Sequence, residues 1–388
     1  MFSFSYANPT RIIFGSGQTG QAGNWVPADQ PVLLLYGSGS VHRNGVYRQV
    51  RDSLAAHRVV EFGGIEPNPS YETLMDAVVL ARREQVGFLL AVGGGSVIDG
   101  SKFVAAAVPF DGEPWDILAR RAPVESALPL GCVLTLPATG SESNNGAVIT
   151  RRQTADKLSF MNDKVQPRFA VLDPEVTRSL PLRQLANGVV DAFVHVLEQY
   201  LTYPVDALVQ DRLAEGLLLS LIETGPRLLA EPSPDEADIG ARGNLMWAAN
   251  LALNGLIGCG VPQDWSTHLV GHELTALYGI DHARSLAIVL PSMLQARREA
   301  KRDKLRQYAQ RVWGLTGSPD DTLIDQAIAR TRAFFVQMGL AVTLADYQLG
   351  DAAIDAVCAQ LEKHRLTRLG ERRDVSPQMV RAVLEHCR

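Results

Sequence analysis

The chain holds eight histidines, and four of them fall between positions 195 and 282. Asp191 and His195 stand four apart within 189–200, a stretch that reads as helix, so both side chains leave the same face. His268 and His272 form a second i, i+4 pair, and His282 follows ten residues after His272, past Gly279. A carboxylate and two or three imidazoles converging from separate helices suit zinc or ferrous iron. Taken alone, Asp191 with His195 is more often the pattern of a surface pair or of a core histidine bonded to its neighbour. Spacing leaves open which of His268 and His272 faces a metal. His272-Glu273 opens like the zinc-protease HExxH motif, but Ala276 stands where its second histidine belongs, so the hydrolase reading fails. His42, His57, His364 and His386 have no such company and read as ordinary.

Three glycine-bearing loops offer phosphate-binding chemistry. A literal G-x-G-x-x-G at Gly15, Gly17 and Gly20 has only 11–14 before it as a strand. The acidic residue expected about 20 positions later is absent from LLYGSGSV at 34–41, so this match reads as a decoy. Gly37, Ser38, Gly39 and Ser40 follow the strongest strand-like run, again with no Asp or Glu to bond a ribose 2′-hydroxyl. Small hydroxyl residues, then His42 and Arg43, leave room and positive charge for a 2′-phosphate, which argues for NADP over NAD. The plain alternative is a Gly/Ser turn. Gly93, Gly94, Gly95 and Ser96 lie between the apolar run 88–92 and a helical pattern carrying Val97, Ile98, Phe103 and Val104. Bare backbone amides at a helix N-terminus make an anion site, and a simple strand-to-helix turn would need one glycine, not three. Thr135, Thr139, Gly140 and Ser141 (TLPATGS) supply a further hydroxyl-rich loop after a strand.

The elements that must position these groups divide the chain at Pro181. Before it, apolar strand-length runs at 31–36, 58–62, 88–92, 132–136 and 169–172 alternate with glycine-rich turns and helical segments such as 70–84, the pattern of βαβ units and a parallel sheet. After it only helical periodicity remains, as in 205–224, 238–256, 304–312 and 321–338. The expectation is an α/β Rossmann-like domain over 1–180 and an all-α domain over 181–388, agreeing with about two domains for 388 residues. The segment 230–237 (AEPSPDEA) reads as a solvated loop. The basic run 297–306 (RREAKRDKLR) reads as a solvated helix face, because it alternates with Glu299 and Asp303.

Composition excludes several function classes. With 46% hydrophobic residues the chain is not disordered, and 37 Lys+Arg against 42 Asp+Glu give a net charge of −5, with no global field for a nucleic acid. Cys132, Cys259, Cys358 and Cys387 form no CxxC and read as reduced thiols. The opening MFSFSYANPTRIIF lacks a secretory pattern, and the apolar stretch 247–261 is interrupted by Asn250 and Asn254 and falls short of the roughly 20 residues of a membrane span. A cytoplasmic protein with no membrane partner is expected.

Two long segments carry a family resemblance. AVLDPEVTRSLPLRQLANGVVDAFVHVLE (170–198) and WSTHLVGHELTALYGIDHA (265–283) resemble the two signatures of the iron-containing (group III) alcohol dehydrogenase family. The phrases FGGIEPNP, LAVGGGSVIDG and GVPQDW are similar to its aldehyde reductase and butanol dehydrogenase branch, which is NADPH-dependent. The resemblance implies one divalent ion, zinc or iron, held by Asp191, His195, His268 and His282, with His272 beside the site as a proton relay. It implies NADP(H) with its diphosphate on Gly94, Gly95 and Ser96, its adenosine end on Gly37, Ser38, Gly39 and Ser40, and further contacts at Asn68, Asp99, Thr135, Thr139 and Lys157. Lys157 lies in TADKLSF, which aligns loosely, and Ala283 replaces the glycine of many members. A homodimer is also implied.

The expected chemistry is reversible reduction of an aldehyde to a primary alcohol, with hydride from the nicotinamide and a metal-polarised carbonyl. Trp265 and its apolar neighbours suggest a pocket for simple aldehydes. The alternatives are a polyol dehydrogenase, a lyase of the dehydroquinate synthase type and a cofactor-binding protein without catalysis. The lyase would need a basic phosphate-binding cluster by the metal, where the sequence offers only Arg284.

Overall fold

The computed structural model describes residues 1–388. The first half builds from strands and helices in alternation: β1 (Arg11–Phe14), β2 (Val32–Gly37), α1 (Ser40–Arg43), α2 (Val46–Ser53), β3 (Val59–Ile65), α3 (Tyr71–Arg83), β4 (Phe88–Gly94), α4 (Gly95–Ala107), α5 (Asp116–Ala119) and β5 (Leu130–Leu136). A hairpin of β6 (Gly146–Arg151) and β7 (Asp156–Met161) precedes β8 (Phe169–Leu172). Six strands form one parallel sheet in the order β1-β8-β5-β4-β2-β3. β2 and β4 are nearly continuous apolar runs because both faces of a parallel sheet are covered. Leu33, Leu35, Leu89 and Ala91 enter one core; Val32, Leu34, Phe88 and Leu90 enter another. Each large aliphatic side chain so buried contributes about 1.5–3 kcal/mol.

The second half is helical: α6 (Leu182–Tyr200), α7 (Leu208–Leu229), α8 (Ile239–Leu253), α9 (Ser266–Tyr278), α10 (His282–Ala296), α11 (Arg302–Arg311), α12 (Asp320–Gln337), α13 (Asp351–Lys363) and α14 (Pro377–His386). No helix is long and apolar enough to cross a membrane. The α/β parallel-sheet region and the all-α region expected from the periodicity are both present. The compact units are less simply divided than a cut at residue 180. One comprises Ala7–Pro181 with Glu231–Asn254; the other comprises Met1–Tyr6, Leu182–Ala230 and Gly255–Arg388. Thus α8 belongs with the sheet. Its Met246 enters the sheet core, Trp247 meets Phe14 edge to face at 6.3 Å, and the buried Arg242 pairs with Glu231 and donates to the Thr177 carbonyl. The acidic loop 230–237 therefore contributes Glu231 to a buried ion pair.

Two sequence expectations fail here for physical reasons. The run 297–306 is not a solvated face: Arg297, Lys301 and Lys304, at i, i+4 and i+7, are all buried. Arg297 pairs with Asp374 at 2.8 Å, Lys301 with Asp264 at 2.7 Å and Glu371 at 3.1 Å, and Lys304 with Asp211. Those acids lie far away in sequence, so the local alternation with Glu299 and Asp303 hid the buried stripe. Second, His364 is not ordinary: its Nδ1 lies 2.8 Å from Oε1 of the buried Glu273.

Candidate metal centre and nucleotide loops

Helix α6 presents Asp191 and His195 on one face, as the four-residue spacing requires. α9 brings His268, and α10 begins with His282. Donor atoms of Asp191, His268 and His282 lie within 4.8 Å of one another. The three come from three helices, and only His282 has appreciable exposure, at 22% of its side chain. His195 joins this group at its edge. Its ring stacks on His268 with centroids 4.5 Å apart, and its Nδ1 lies 3.6 Å from Asp191 Oδ1. His272, one turn beyond His268, is half-buried, its ring 5.0 Å from that of His282 and outside the three-donor cluster.

The donor set fits a divalent cation. His195 Nδ1 is buried and makes no hydrogen bond, an arrangement that costs about 1–3 kcal/mol unless a further partner is bound. Burial pulls its pKa down to about 4, against the Asp191 charge, which favours protonation. A neutral imidazole beside a buried carboxylate offers a lone pair and a negative charge, which are the needs of zinc or iron.

Local structure explains how His282 and His268 are held. Asp281, preceding His282, takes hydrogen bonds from Arg183 and from Asn187 at 2.9 Å, both on α6. The Ser285 hydroxyl bonds back to the His282 carbonyl. Ala283 lies within α10 and is buried, so no turn at that position calls for glycine. Trp265 precedes α9 with φ +65°, a left-handed backbone uncommon for so large a side chain, and its indole sits edge-on to His268 and His195. Arg284 is drawn to Asp281 at 3.7 Å.

Glu198 was not singled out in the sequence. It lies on α6 at i+3 from His195 and i+7 from Asp191, so its place on the same helical face was the available signal. Its Oε2 binds His268 Nδ1 and accepts from the His268 amide at 3.1 Å, while Oε1 accepts from the Thr267 amide at 2.7 Å. Burial first, then the nearby Asp264, push its carboxyl well above the ordinary range; the two amides and Lys301 oppose that shift.

The glycine loops lie in the sheet-bearing unit. β4 ends at Gly94 and α4 starts at Gly95 with no side chain capping its first amides and no acidic residue in its first turn. Three glycines in a row do not by themselves mark a binding turn here, because each has a packing reason. A Cβ on Gly93 would lie 2.5 Å from Val97, one on Gly94 would lie 3.0 Å from Leu136, and one on Gly95 would lie 2.5 Å from the Thr139 hydroxyl. The open helix N-terminus, not the glycine count, is what favours an anion there. Asn68, at φ +55°, donates its amide to Ser96 Oγ at 3.2 Å and accepts from Lys157 Nζ at 2.8 Å. Ser96, Asn68, Lys157, Gly95 and Thr139 are thereby brought together. Thr135 lies on β5, next to Leu136, the partner of Gly94 in the sheet register.

Asp99 is differently placed. One oxygen accepts from Ser141 and the other from the Val148 amide at 2.9 Å. Burial raises its pKa, against Lys102 and those bonds. Lys102, also unflagged by the sequence, is fully buried and donates to Ser141, Asn144 and the Gly146 carbonyl at 2.7–3.0 Å. Burial pulls its ammonium down to about 8. Asp99 and Lys102 together fasten the loop carrying Thr139 to α4. Further along the sheet, Gly37 ends β2, Gly39 has φ +113°, and Ser38 and Ser40 are exposed with His42 and Arg43. The decoy at 15–20 leads into a 3-10 helix whose Thr19 amide already bonds the Asp173 carboxylate at 3.0 Å.

Residues 9–174 match the profile described as iron-containing alcohol dehydrogenase, and residues 185–386 match the C-terminal part of that Fe-containing family. The chain belongs to the iron-containing alcohol dehydrogenase family. It is 56% identical to the NADPH-dependent aldehyde reductase YqhD of Escherichia coli K12, with all of both chains covered. A crystal structure of the latter superposes with a TM-score of 0.97 at 55% identity, covering 100% of this chain and 99% of the other. A probable NADH-dependent butanol dehydrogenase of Bacillus subtilis is 38% identical over 92% of each chain.

Proposed function

We propose that this chain is an NADP(H)-dependent, metal-dependent aldehyde reductase that converts aldehydes to primary alcohols and runs in reverse as an alcohol dehydrogenase. The observation that carries this is the convergence of the buried Asp191 and His268 with the partly exposed His282 in one cluster, in a chain similar throughout to an NADPH-dependent aldehyde reductase. Asp191, His195, His268 and His282 hold the cation. When bound, it supplies Lewis acidity that polarises the carbonyl and favours the developing alkoxide charge. Asp191 offsets part of the ion's charge. His195, kept neutral by burial, gives a lone pair without first releasing a proton. The reaction consumes one hydride from the reduced nicotinamide and one proton. His272, half-buried beside His282, is the residue placed to hold that proton on a ring nitrogen and pass it to the alkoxide oxygen.

The nucleotide is read from the α4 N-terminus, where amides of Gly95 and Ser96 with Asn68, Thr139 and Lys157 hold the diphosphate, and Gly94 ends the strand that leads into that turn. Thr135, on β5 beside the partner of Gly94, belongs to the same proposed nucleotide site. Asp99 supports the site through Ser141. Gly37, Ser38, Gly39 and Ser40 receive the adenosine end, and the absence of a carboxylate at 38–43 favours the 2′-phosphate of NADPH. A cytoplasmic homodimer is part of this reading. The four free thiols suit a reducing compartment, and the edge strand β1 carries Phe14 at 47% exposure with the half-exposed Trp25 and Trp247 in the same unit. Light scattering on the purified protein measures the dimer.

The direct test is oxidation of NADPH on adding butanal. His268→Ala should abolish it while NADPH still binds. Full turnover in that variant, or in metal-stripped protein, would sink the metal role.

A further inference from the structure

The ligand cluster accounts for Asp191, His195, His268 and His282, but one end of the His268 ring is held by a carboxylate that no ligand role explains. We propose that Glu198 is the positioning residue of the metal centre: it fixes the orientation and tautomer of His268, so that Nε2 is the nitrogen presented to the cation. This rests on the reading of His268 as a ligand.

Four observations support it. Glu198 and His268 are both buried, at 3% and 6% exposure, so water does not compete for the contact. Glu198 Oε2 meets Nδ1 while both carboxylate oxygens already accept backbone amides, so the hydrogen-bond network assigns the shared proton to Nδ1 and the lone pair to Nε2. The same carboxylate takes the backbone amides of Thr267 and His268, both in the first turn of α9. It therefore anchors the helix and the ring together and cannot let one turn without the other. Finally, Glu198 stands on the helix that carries Asp191 and His195, so α6 supplies two ligands and also sets the third. A carboxylate behind a ligating imidazole also makes the ring a better electron donor.

Behind Glu198 the chain is locked again. Its carbonyl accepts from the Asp264 amide at 2.9 Å, and the Asp264 carboxylate is bound to Lys301 at 2.7 Å. Asp264 also takes the Ser266 amide at 3.0 Å, closing the turn that opens α9.

The test is metal affinity, read independently of turnover. Metal-free full-length protein is titrated with cobalt(II), its visible absorption is recorded, and retention is measured against a colorimetric chelator. Glu198→Gln should lose affinity by about 10–100-fold and alter the cobalt spectrum, and Glu198→Asp, which keeps the charge, should recover part of the loss. A purely structural role would lower the melting temperature of the metal-free protein and leave cobalt affinity and spectrum unchanged. If both variants bind cobalt(II) with the parent's affinity and spectrum, the proposal is overturned; if Glu198→Gln does not fold, Glu198→Asp is judged by the same criterion. His268→Ala separates the two layers. Should that variant keep the parent's cobalt affinity, the ligand reading itself is wrong. If it loses the metal while the Glu198 variants do not, only the positioning role fails. In the His268→Ala background, Glu198→Gln should have no further effect on affinity.

Discussion

A buried imidazole makes a measurable demand on the protein before any metal arrives. His195 has its pKa pulled from the ordinary 6.5 to about 4 by burial. Above pH 6.5 the ring is neutral folded or unfolded, so it has no effect on stability. As pH falls from 6.5 towards 4, the unfolded chain takes a proton that the folded chain refuses. Metal-free protein should therefore lose stability across that window, by about 3 kcal/mol at the acid end from this residue alone. Urea unfolding at pH 7 and pH 4.5 measures it, and His195→Gln should flatten the difference. A His195→Gln variant that loses as much stability between the two pH values as the parent would refute the buried-neutral assignment, since the other buried groups titrate alike in both proteins. His272 makes the complementary case, since it is half-buried and outside the three-donor cluster. His272→Ala should keep the parent's metal content while kcat falls by about 10²-fold or more, because a general acid contributes on that order. Loss of the metal in this variant would move His272 into the ligand set. The i, i+4 spacing could not choose between His268 and His272, because both leave α9 on one side. In the structure His268 lies in the three-donor cluster and meets Glu198 of another helix while His272 lies outside it, and sequence spacing carries no information about either contact.

Helices and strands were legible where one element carries the whole pattern. The apolar runs at 31–36 and 88–92 read as strands because both faces are buried, and α6 read as a ligand-bearing helix because Asp191 and His195 share its face. The hairpin β6–β7 was missed because only one face of each strand is covered and the polar turn between them interrupts the alternation. The basic run failed for the opposite reason: its i, i+4, i+7 stripe is present in the sequence, but the acids that neutralise it are not nearby. Lys301→Met should therefore destabilise the protein by roughly 3–5 kcal/mol, since it leaves Asp264 and Glu371 charged and buried without their cation. The neighbouring Arg302→Ala, at a solvent-screened pair, should cost far less than Lys301→Met. Chemical denaturation of the two variants decides between the buried stripe and a solvated face, which would make the two costs alike. At the α4 N-terminus, packing and binding can be separated in the same manner. Gly95→Ala drives a methyl into Thr139. Adding Thr139→Ser removes part of that crowding, so a stability defect should be relieved while weak NADPH binding persists. Recovery of full NADPH affinity in the double variant would mean that Gly95 is there for packing alone.

On the scale of the molecule, the two halves of the chemistry belong to different compact units. Every proposed metal ligand lies in the helical unit, on α6, α9 and α10, whereas the proposed nucleotide contacts lie in the sheet-bearing unit. The forces that hold them also differ. In the proposed reading the cation would depend on imidazole and carboxylate donors, while the diphosphate would depend on backbone amides and Lys157, groups whose geometry is set by β4, α4 and the loop that Asp99 and Lys102 fasten. Removing the metal should therefore stop catalysis without emptying the nucleotide site. Protein treated with a chelator should still enhance NADPH fluorescence with a dissociation constant within about a factor of ten of the metal-loaded value, which is 1.4 kcal/mol of coupling, yet oxidise no NADPH with butanal. Restoring zinc(II) or iron(II) should return activity, and the metal that returns more of it is the better fit to three imidazoles with one carboxylate. The reciprocal variant, Ser40→Asp, places a carboxylate where the 2′-phosphate is proposed to sit. It should weaken NADPH and spare NADH, reversing the preference while the metal content stays that of the parent. If chelation abolished NADPH binding outright, or if Ser40→Asp lowered metal content, the division of labour between the two units would be wrong, because each change would then be felt where none of its own contacts lie.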